Sequence, residues 1–201
     1  MTSDKWLRRS VLGLITLTLT AALVLIIALA LGWNNPRPTR PPDWQAPGLP
    51  LRLEAASDET VVSLLGHPVD DFTLEGEVTS LSGPDSGFNG YGLVYRARDV
   101  AHYYAFAVGS DGYYAVLRVT EDEETVLVDW QQFPHVRRDQ RTNRLRVTCI
   151  GPTCRFYIND EYATTVKDGT WLVGDVGMCV QSFGEMGVVA QFVNARAWTE
   201  R

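Results

Sequence analysis

Hydrophobic positions along this chain fall into three regimes. From Val11 to Leu31 they are continuous: VLGLITLTLTAALVLIIALAL, 21 residues without a charge. About 20 such residues cross a bilayer as a helix, so the pattern predicts a transmembrane helix over residues 11–33. From Asn34 to Pro50 the apolar signal fades, and six of 17 residues are proline. Proline fixes φ and lacks a donor, so this segment is expected to be an extended tether reaching roughly 50 Å at about 3.1 Å per residue. From Leu51 onward, short runs rich in Val, Tyr, Phe and Thr alternate with Gly, Asp, Asn and Pro clusters.

Those runs predict strands at Leu51–Ala55, Phe72–Leu81, Tyr91–Arg98, Tyr103–Gly109, Tyr113–Thr120, Thr125–Gln131, Arg144–Ile150, Cys154–Asn159, Tyr162–Val166, Gly174–Phe183 and Gly187–Trp198. Only Asp58–Leu65 reads as a short helix or turn. Many short strands without a sustained 3.6-residue period indicate an all-β domain, a two-sheet antiparallel sandwich or barrel, over residues 51–201.

The stretch from Tyr91 to Val119, YGLVYRARDVAHYYAFAVGSDGYYAVLRV, departs from simple alternation. A half-buried strand should place polar residues on its solvent face, yet here both sets of alternate positions are apolar or aromatic. Asp111-Gly112 reads as a two-residue hairpin turn. It would pair Val108 with Ala115, Phe106 with Leu117 and Tyr104 with Val119 as the core face, joined by Leu93, Tyr95 and Ala97. The opposite face would then hold Gly92, Val94, Arg96, Arg98, Tyr103, Ala105, Ala107, Tyr114, Val116 and Arg118. Small residues ringed by Tyr and Arg suit a binding surface: Tyr supplies flat apolar area and Arg fixed donors. Arg96, Arg98, Tyr103, Tyr114 and Arg118 are the candidate contacts, for a glycan or a protein; a covering loop is the plain alternative.

Charge sharpens this division. Lys5, Arg8 and Arg9 precede the apolar run and keep that end cytoplasmic by the positive-inside rule, with residues 1–10 a cytoplasmic tail and the later domain outside. Ala28-Leu29-Ala30 fits a signal-peptidase site, but it lies inside an apolar run longer than a signal core. A pilin-like leader would carry an early Glu that this run lacks. The chain has net charge −6; residues 1–50 carry +3, which leaves −9 on residues 51–201. An acidic domain is repelled by phosphate backbones, which excludes nucleic acid as a partner. A proline-rich ligand role for residues 34–50 is the rival to the tether.

Three cysteines, Cys149, Cys154 and Cys179, fall in the outer part, where disulfides are permitted. Cys149 and Cys154 flank a hairpin loop, and their sulfurs meet if both face the core; two buried free thiols are the alternative. Cys179 is the odd one. The spacing is not a zinc pattern.

The segments DW at 129–130, NRLRV at 143–147, FYIND at 156–160, GDVGM at 174–178 and VAQFVNARAW at 189–198 follow YGLVYRARDVAHYYAFAVGSDGYYAVLR in a familiar order. Over residues 70–199 the chain resembles the concanavalin A-like, laminin-G-type jelly roll, in particular bacterial 3-keto-disaccharide hydrolase-like domains. Asn159-Asp160 stands where Asn-Gly is usual, and Asn194-Ala195 where Asp-Asn is common. The resemblance implies a two-sheet antiparallel jelly roll, of a kind found outside the bacterial membrane beside signalling or glycan-handling domains.

Catalytic signatures are sparse. Glycosidases need two carboxylates on a groove, and Glu75 and Glu77, on one face of FTLEGEV, are the one pair worth testing. Glu121–Glu124 reads as a solvated turn. His67, His102 and His135 lack ligand spacing, and no nucleophile elbow, P-loop or dinucleotide fingerprint occurs. No metal cluster is read, although Asp85 and Asp99 are loop positions where a laminin-G-type Ca²⁺ site would draw ligands. No cofactor is expected. The reading is a single-pass membrane protein, anchored by Val11 to Leu31, whose outer domain recognises a glycan or protein. The alternatives are an accessory subunit, with Thr16 and Thr20 packing on a partner helix, or a glycoside-cleaving enzyme.

Overall fold

The computed structural model describes residues 3–30, 35–82, 87–184 and 186–200. The chain divides into two compact units, one ending at Pro36 and one beginning at Arg37. The first contains α1 (Ser3–Ala30). Its stretch Arg8–Leu29 is long and apolar enough to cross a membrane. The threonines within it bond their own helix: Thr16 Oγ1 donates to the Leu12 carbonyl (2.8 Å) and Thr20 Oγ1 to the Thr16 carbonyl (2.5 Å). Their hydroxyls therefore present no unmet donor to an apolar surrounding, which removes the main cost of placing threonine there.

The second unit is a sandwich of antiparallel strands: β1 (Trp44–Gln45), β2 (Leu51–Ala55), β3 (Thr60–Leu64), β4 (Phe72–Ser82), β5 (Asn89–Ala97), β6 (Tyr103–Val108), β7 (Tyr113–Val119), β8 (Glu124–Gln132), β9 (Asn143–Ile150), β10 (Thr153–Ile158), β11 (Glu161–Lys167), β12 (Asp175–Ser182) and β13 (Val188–Thr199). One sheet runs β1-β13-β4-β9-β10-β11, with β2 also on β13; the other runs β3-β12-β5-β6-β7-β8. Between them lies an aromatic core in which Phe156 packs 4.9 Å from Phe106 and 5.9 Å from Tyr95, ring centre to ring centre. The fold is the expected two-sheet jelly-roll sandwich behind an apolar helix.

Two segments differ from the sequence reading. Thr60–Leu64, taken for a helix or turn, is edge strand β3 on β12. Its Thr-Val-Val run prefers the pleated sheet, and Val61 packs into the main core while Val62 faces the other way. Residues 37–50 are not a free tether. Trp44 and Gln45 pair with Ala197 and Arg196, the Trp198 indole N–H donates to the Arg40 carbonyl (2.9 Å), and the Thr199 N–H donates to Asp43 (2.8 Å). Proline removes several backbone donors from this segment, but the Asp43 and Ala46 N–H groups still donate to the Ala197 and Ala195 carbonyls (2.9 Å each), and the Arg40 carbonyl and the side chains of Arg40 and Asp43 complete the attachment.

Cys149 and Cys154 are joined, on directly paired residues of the β9–β10 hairpin with Cα atoms 4.1 Å apart. Cys179 is a buried free thiol.

Candidate functional site: an aromatic cleft on the six-stranded sheet

The β6–β7 turn decides what the outer face of the six-stranded sheet looks like. Phe106 pairs with Val116 and Val108 with Tyr114, not with Leu117 and Ala115. The loop is three residues, Ser110-Asp111-Gly112, closed by a Gly109 N–H bond to the Tyr113 carbonyl (2.9 Å), with Gly112 at φ +94°. A one-residue slip moves every side chain of a strand to the opposite face. Tyr114 and Val116 therefore enter the main core, and Ala115 and Leu117 take the outer face.

A bulge in β5 redirects its arginine in the same way. Tyr95 and Arg96 together oppose Val176 of β12, and Arg96 sits at φ +49°. Its side chain turns inward, 1% exposed, donating to the Asp70 carbonyl (2.8 Å) and lying over the Phe72 ring. Arg118 points toward the same inner side, held by Asp168 (2.5 Å) and Thr170 (2.8 Å). Tyr114 is buried against Phe106, its hydroxyl donating to the Ala163 carbonyl (3.3 Å). Arg98 is exposed in the loop after β5. Of the five expected contacts, only Tyr103 faces outward from the sheet, and it is 4% exposed. The structure thus does not bring Arg96, Arg98, Tyr103, Tyr114 and Arg118 together.

That outer face is a trough of small residues. Gly90 and Gly92, Ala105 and Ala107, and Ala115 lie across three adjacent strands. A methyl group on Gly92 would run into the Phe106 carbonyl oxygen, and one on Gly90 would meet the Trp130 ring at 3.1 Å. Trp130, reaching over from β8, and Tyr103 cover the small residues, together with Val94 and Leu117. This explains why the sequence is apolar on both faces: the second face is itself a minor core. Cys179 lies within it, and burial pushes its thiol pKa up to about 12.

Beyond Trp130 the face ends in an aromatic cleft of about 460 Å³, lined by Phe88, Asn89, Asp111, Tyr113, Trp130 and Phe183. Trp130 and Phe183 meet edge to face, 5.8 Å between centroids. Phe88 stands opposite at φ +52° with 64% of its surface exposed. Its position is fixed from two sides. The Phe183 N–H donates to the Phe88 carbonyl (2.9 Å). The buried side chain of Asn89 donates to the Gly87 carbonyl and Ser110 Oγ, both at 2.8 Å, and accepts from the Ser110 N–H. Asn89 therefore locks the segment before β5 to the β6–β7 turn, and the cleft is preformed. Sequence reasoning missed it because its residues come from four separate loops and strand ends. Trp130 was visible only as part of a structural motif, and the two-residue reading of the turn, which turns Ala115 and Leu117 to the core, turns Tyr113 there with them.

The other candidates lie elsewhere. Glu75 and Glu77 are on the outer face of the seven-stranded sheet, each ion-paired: Glu75 to Arg196 (2.5 Å) and Arg146 (3.7 Å), Glu77 to Arg144 (3.3 Å). Glu75 is 5% exposed, so neither presents a free carboxylate to an open groove. Asp99 accepts from the Ala101 N–H (2.8 Å) and contacts His102 Nδ1 (2.9 Å), which organises its own turn. Asp85 lies outside the described residues. Among the described residues, no group of three or more His, Cys, Asp or Glu is placed to hold a metal ion.

No protein-family model matches the chain, and no curated protein matches it. Solved structures share the fold. A carbohydrate-binding module, CBM66 from Bacillus subtilis, superposes with a TM-score of 0.61 at 20% identity, over 73% of this chain and 86% of that one. A protein of unknown function from Saccharomyces cerevisiae gives 0.54 at 15% identity, over 80% of this chain and 94% of that one. A GH43 protein from Bacillus licheniformis gives 0.54 at 14% identity, over 75% of this chain and 33% of that one.

Proposed function

We propose that this chain is a membrane-anchored recognition module that binds a saccharide in the Phe88–Trp130 cleft, with the sandwich outside the cytoplasm. One observation carries the reading: an exposed phenylalanine held in the left-handed backbone region opposite the Trp130–Phe183 pair. A non-glycine residue there costs roughly 1–2 kcal/mol, and the strain displays an aromatic surface to solvent instead of burying it. Aromatic faces take the apolar face of a sugar ring, while Asp111 and the Tyr113 hydroxyl offer polar partners at the rim. A 460 Å³ cleft is within the range of small-ligand sites, roughly 300–1,000 Å³. One fold neighbour is a carbohydrate-binding module, which agrees with this reading. The kinship to 3-keto-disaccharide hydrolase-like domains belongs to the same proposal and rests on the turn and glycine pattern.

The anchor is α1, with Lys5, Arg8 and Arg9 on the cytoplasmic side. The test is a glycan array probed with the full chain in a detergent that lacks a sugar head group. Retention of a restricted set of glycans, lost in Trp130→Ala, is expected. An array without binding, or binding indifferent to Trp130, contradicts the reading.

A further inference from the structure

The outer face of the seven-stranded sheet carries a row of paired side chains that the saccharide reading does not use. Arg196, Glu75, Arg146 and Tyr157 stand side by side on β13, β4, β9 and β10. The chain segment from Arg37 to Pro42 passes over them. Between the segment and the sheet is a pocket of about 450 Å³ to which Arg37, Arg40, Arg144, Arg146 and Arg196 contribute, against Glu75 and Asp160. Asp43 pairs with Arg40 and Glu77 with Arg144 from beyond the lining. Glu200 also acts on Arg40 from that side, so the five guanidiniums meet five carboxylates and the charges balance.

Arg146 is the one of these arginines whose buried edge the pairings leave over. It is 2% exposed and stacks on the Tyr157 ring, 4.6 Å from its centroid. Its Nη1 is 3.1 Å from Asp160 and 3.7 Å from Glu75. Its Nε and Nη2, which form one whole edge of the planar fork, have no hydrogen-bond partner, and Arg196 Nε is likewise unpartnered. Buried donors are almost always satisfied, and a guanidinium edge matches the two oxygens of a carboxylate or phosphate. The covering segment supplies no acceptor to that edge. The bonds that hold it include Arg37 to Asp160 (3.6 Å), the Trp198 N–H to the Arg40 carbonyl (2.9 Å), and Arg40 Nη2 to the Thr199 carbonyl (2.5 Å). With prolines at 38, 41 and 42, it lacks the donors for a strand ladder over this face.

We infer that this pocket is a second binding site, for an oxyanion of carboxylate or phosphate chemistry, seated on the Nε–Nη2 edge of Arg146 beneath the 37–42 segment. The anion would satisfy the buried edge. Because that edge is shut off from solvent, entry requires the segment to lift. Anything that loosens the segment without changing charge should therefore strengthen binding.

The experiment is calorimetric titration of the full chain in a non-ionic, sugar-free detergent with inorganic phosphate and, separately, glucuronate. Saturable binding of at least one anion is expected. Trp198→Phe, which removes the bond to Arg40, should tighten it several-fold. Arg146→Lys keeps the charge but loses the fork, and should weaken binding at least about tenfold. Repeating the titration in micelles doped with phosphatidylglycerol identifies the source of the anion. Weakened phosphate binding there points to a lipid headgroup as the occupant; unchanged binding points to a soluble anion. No saturable binding in either the wild type or Trp198→Phe overturns the inference, as does a folded Arg146→Lys that binds like the wild type. Should Arg146→Lys not fold, the comparison of wild type with Trp198→Phe decides: tightening supports the site and equal affinity refutes it.

Discussion

Phe88 shows how a single position can be read for function where stability gives no reason for it. A left-handed φ and 64% exposure leave it little packing to lose. Phe88→Ala is expected to change unfolding free energy by no more than about 0.5 kcal/mol while weakening saccharide binding. Cys179 is the reverse case. Burial pushes its thiol pKa up to about 12, and the thiolate is the reactive form. Iodoacetamide at pH 8 should leave it unmodified in the folded protein and modify it once after unfolding without reductant; labelling in the folded state would contradict the minor core. Asp168 makes the acid limb. Burial opposes its ionisation, but bonds from Thr170 and Tyr104 and the charge of Arg118 outweigh it, and its pKa falls below the ordinary 3.8. A depressed carboxyl adds stability above its unfolded pKa and loses it as pH falls through the folded value. Urea midpoints followed from pH 5 down to about pH 2 should therefore drop less steeply in Asp168→Asn, which starts from a lower stability at pH 7; an unchanged slope would contradict the network.

Eleven strands were legible in the sequence because their runs of β-branched and aromatic residues and the turn residues between them agreed, from Leu51–Ala55 to the long closing strand through Trp198. What was not legible was register. Asp111-Gly112 reads equally well as a two-residue turn or as the end of a three-residue one, and the glycine suits either. The difference is one residue, yet it sends Tyr114 and Arg118 inward. The β5 bulge at Arg96 is a similar case, since nothing in Tyr-Arg-Ala marks an extra residue. β3 and β1 escaped because both are edge elements whose pairing is set by distant β12 and β13. The β9–β10 hairpin, by contrast, has its pairing pinned by Cys149 and Cys154. Closing so short a loop is worth about 2 kcal/mol on a chain-entropy basis. The Cys149→Ala/Cys154→Ala double variant should lose about that much in urea unfolding, and a loss near zero would argue against the bond. Gly92 marks another element-level constraint: Gly92→Ala should cost more than about 3 kcal/mol or prevent folding, because its methyl meets the Phe106 carbonyl.

The whole chain joins an apolar helix to a sandwich whose two outer faces differ in kind. The six-stranded sheet presents a small-residue trough ending in aromatics; the seven-stranded sheet presents ion pairs under a proline-rich segment. The sequence indicated that one face was special but could not show the cleft, which is assembled only when Phe88, Tyr113, Trp130 and Phe183 converge from separate loops and strand ends. If α1 anchors the chain with the sandwich outside, protease applied to intact cells should remove the sandwich and leave the helix; protection until lysis would reverse the orientation. The central claim is that the Phe88–Trp130 cleft, not the Tyr103 region, contacts a saccharide. Its most direct test is the affinity of an array-selected glycan for the wild type, Phe88→Ala and Tyr103→Phe, measured by calorimetry on the full chain. Aromatic stacking is worth about 0.5–1.5 kcal/mol beyond area burial, so Phe88→Ala should weaken binding by about tenfold while Tyr103→Phe leaves it unchanged. Equal affinity in Phe88→Ala and the wild type would contradict the assignment.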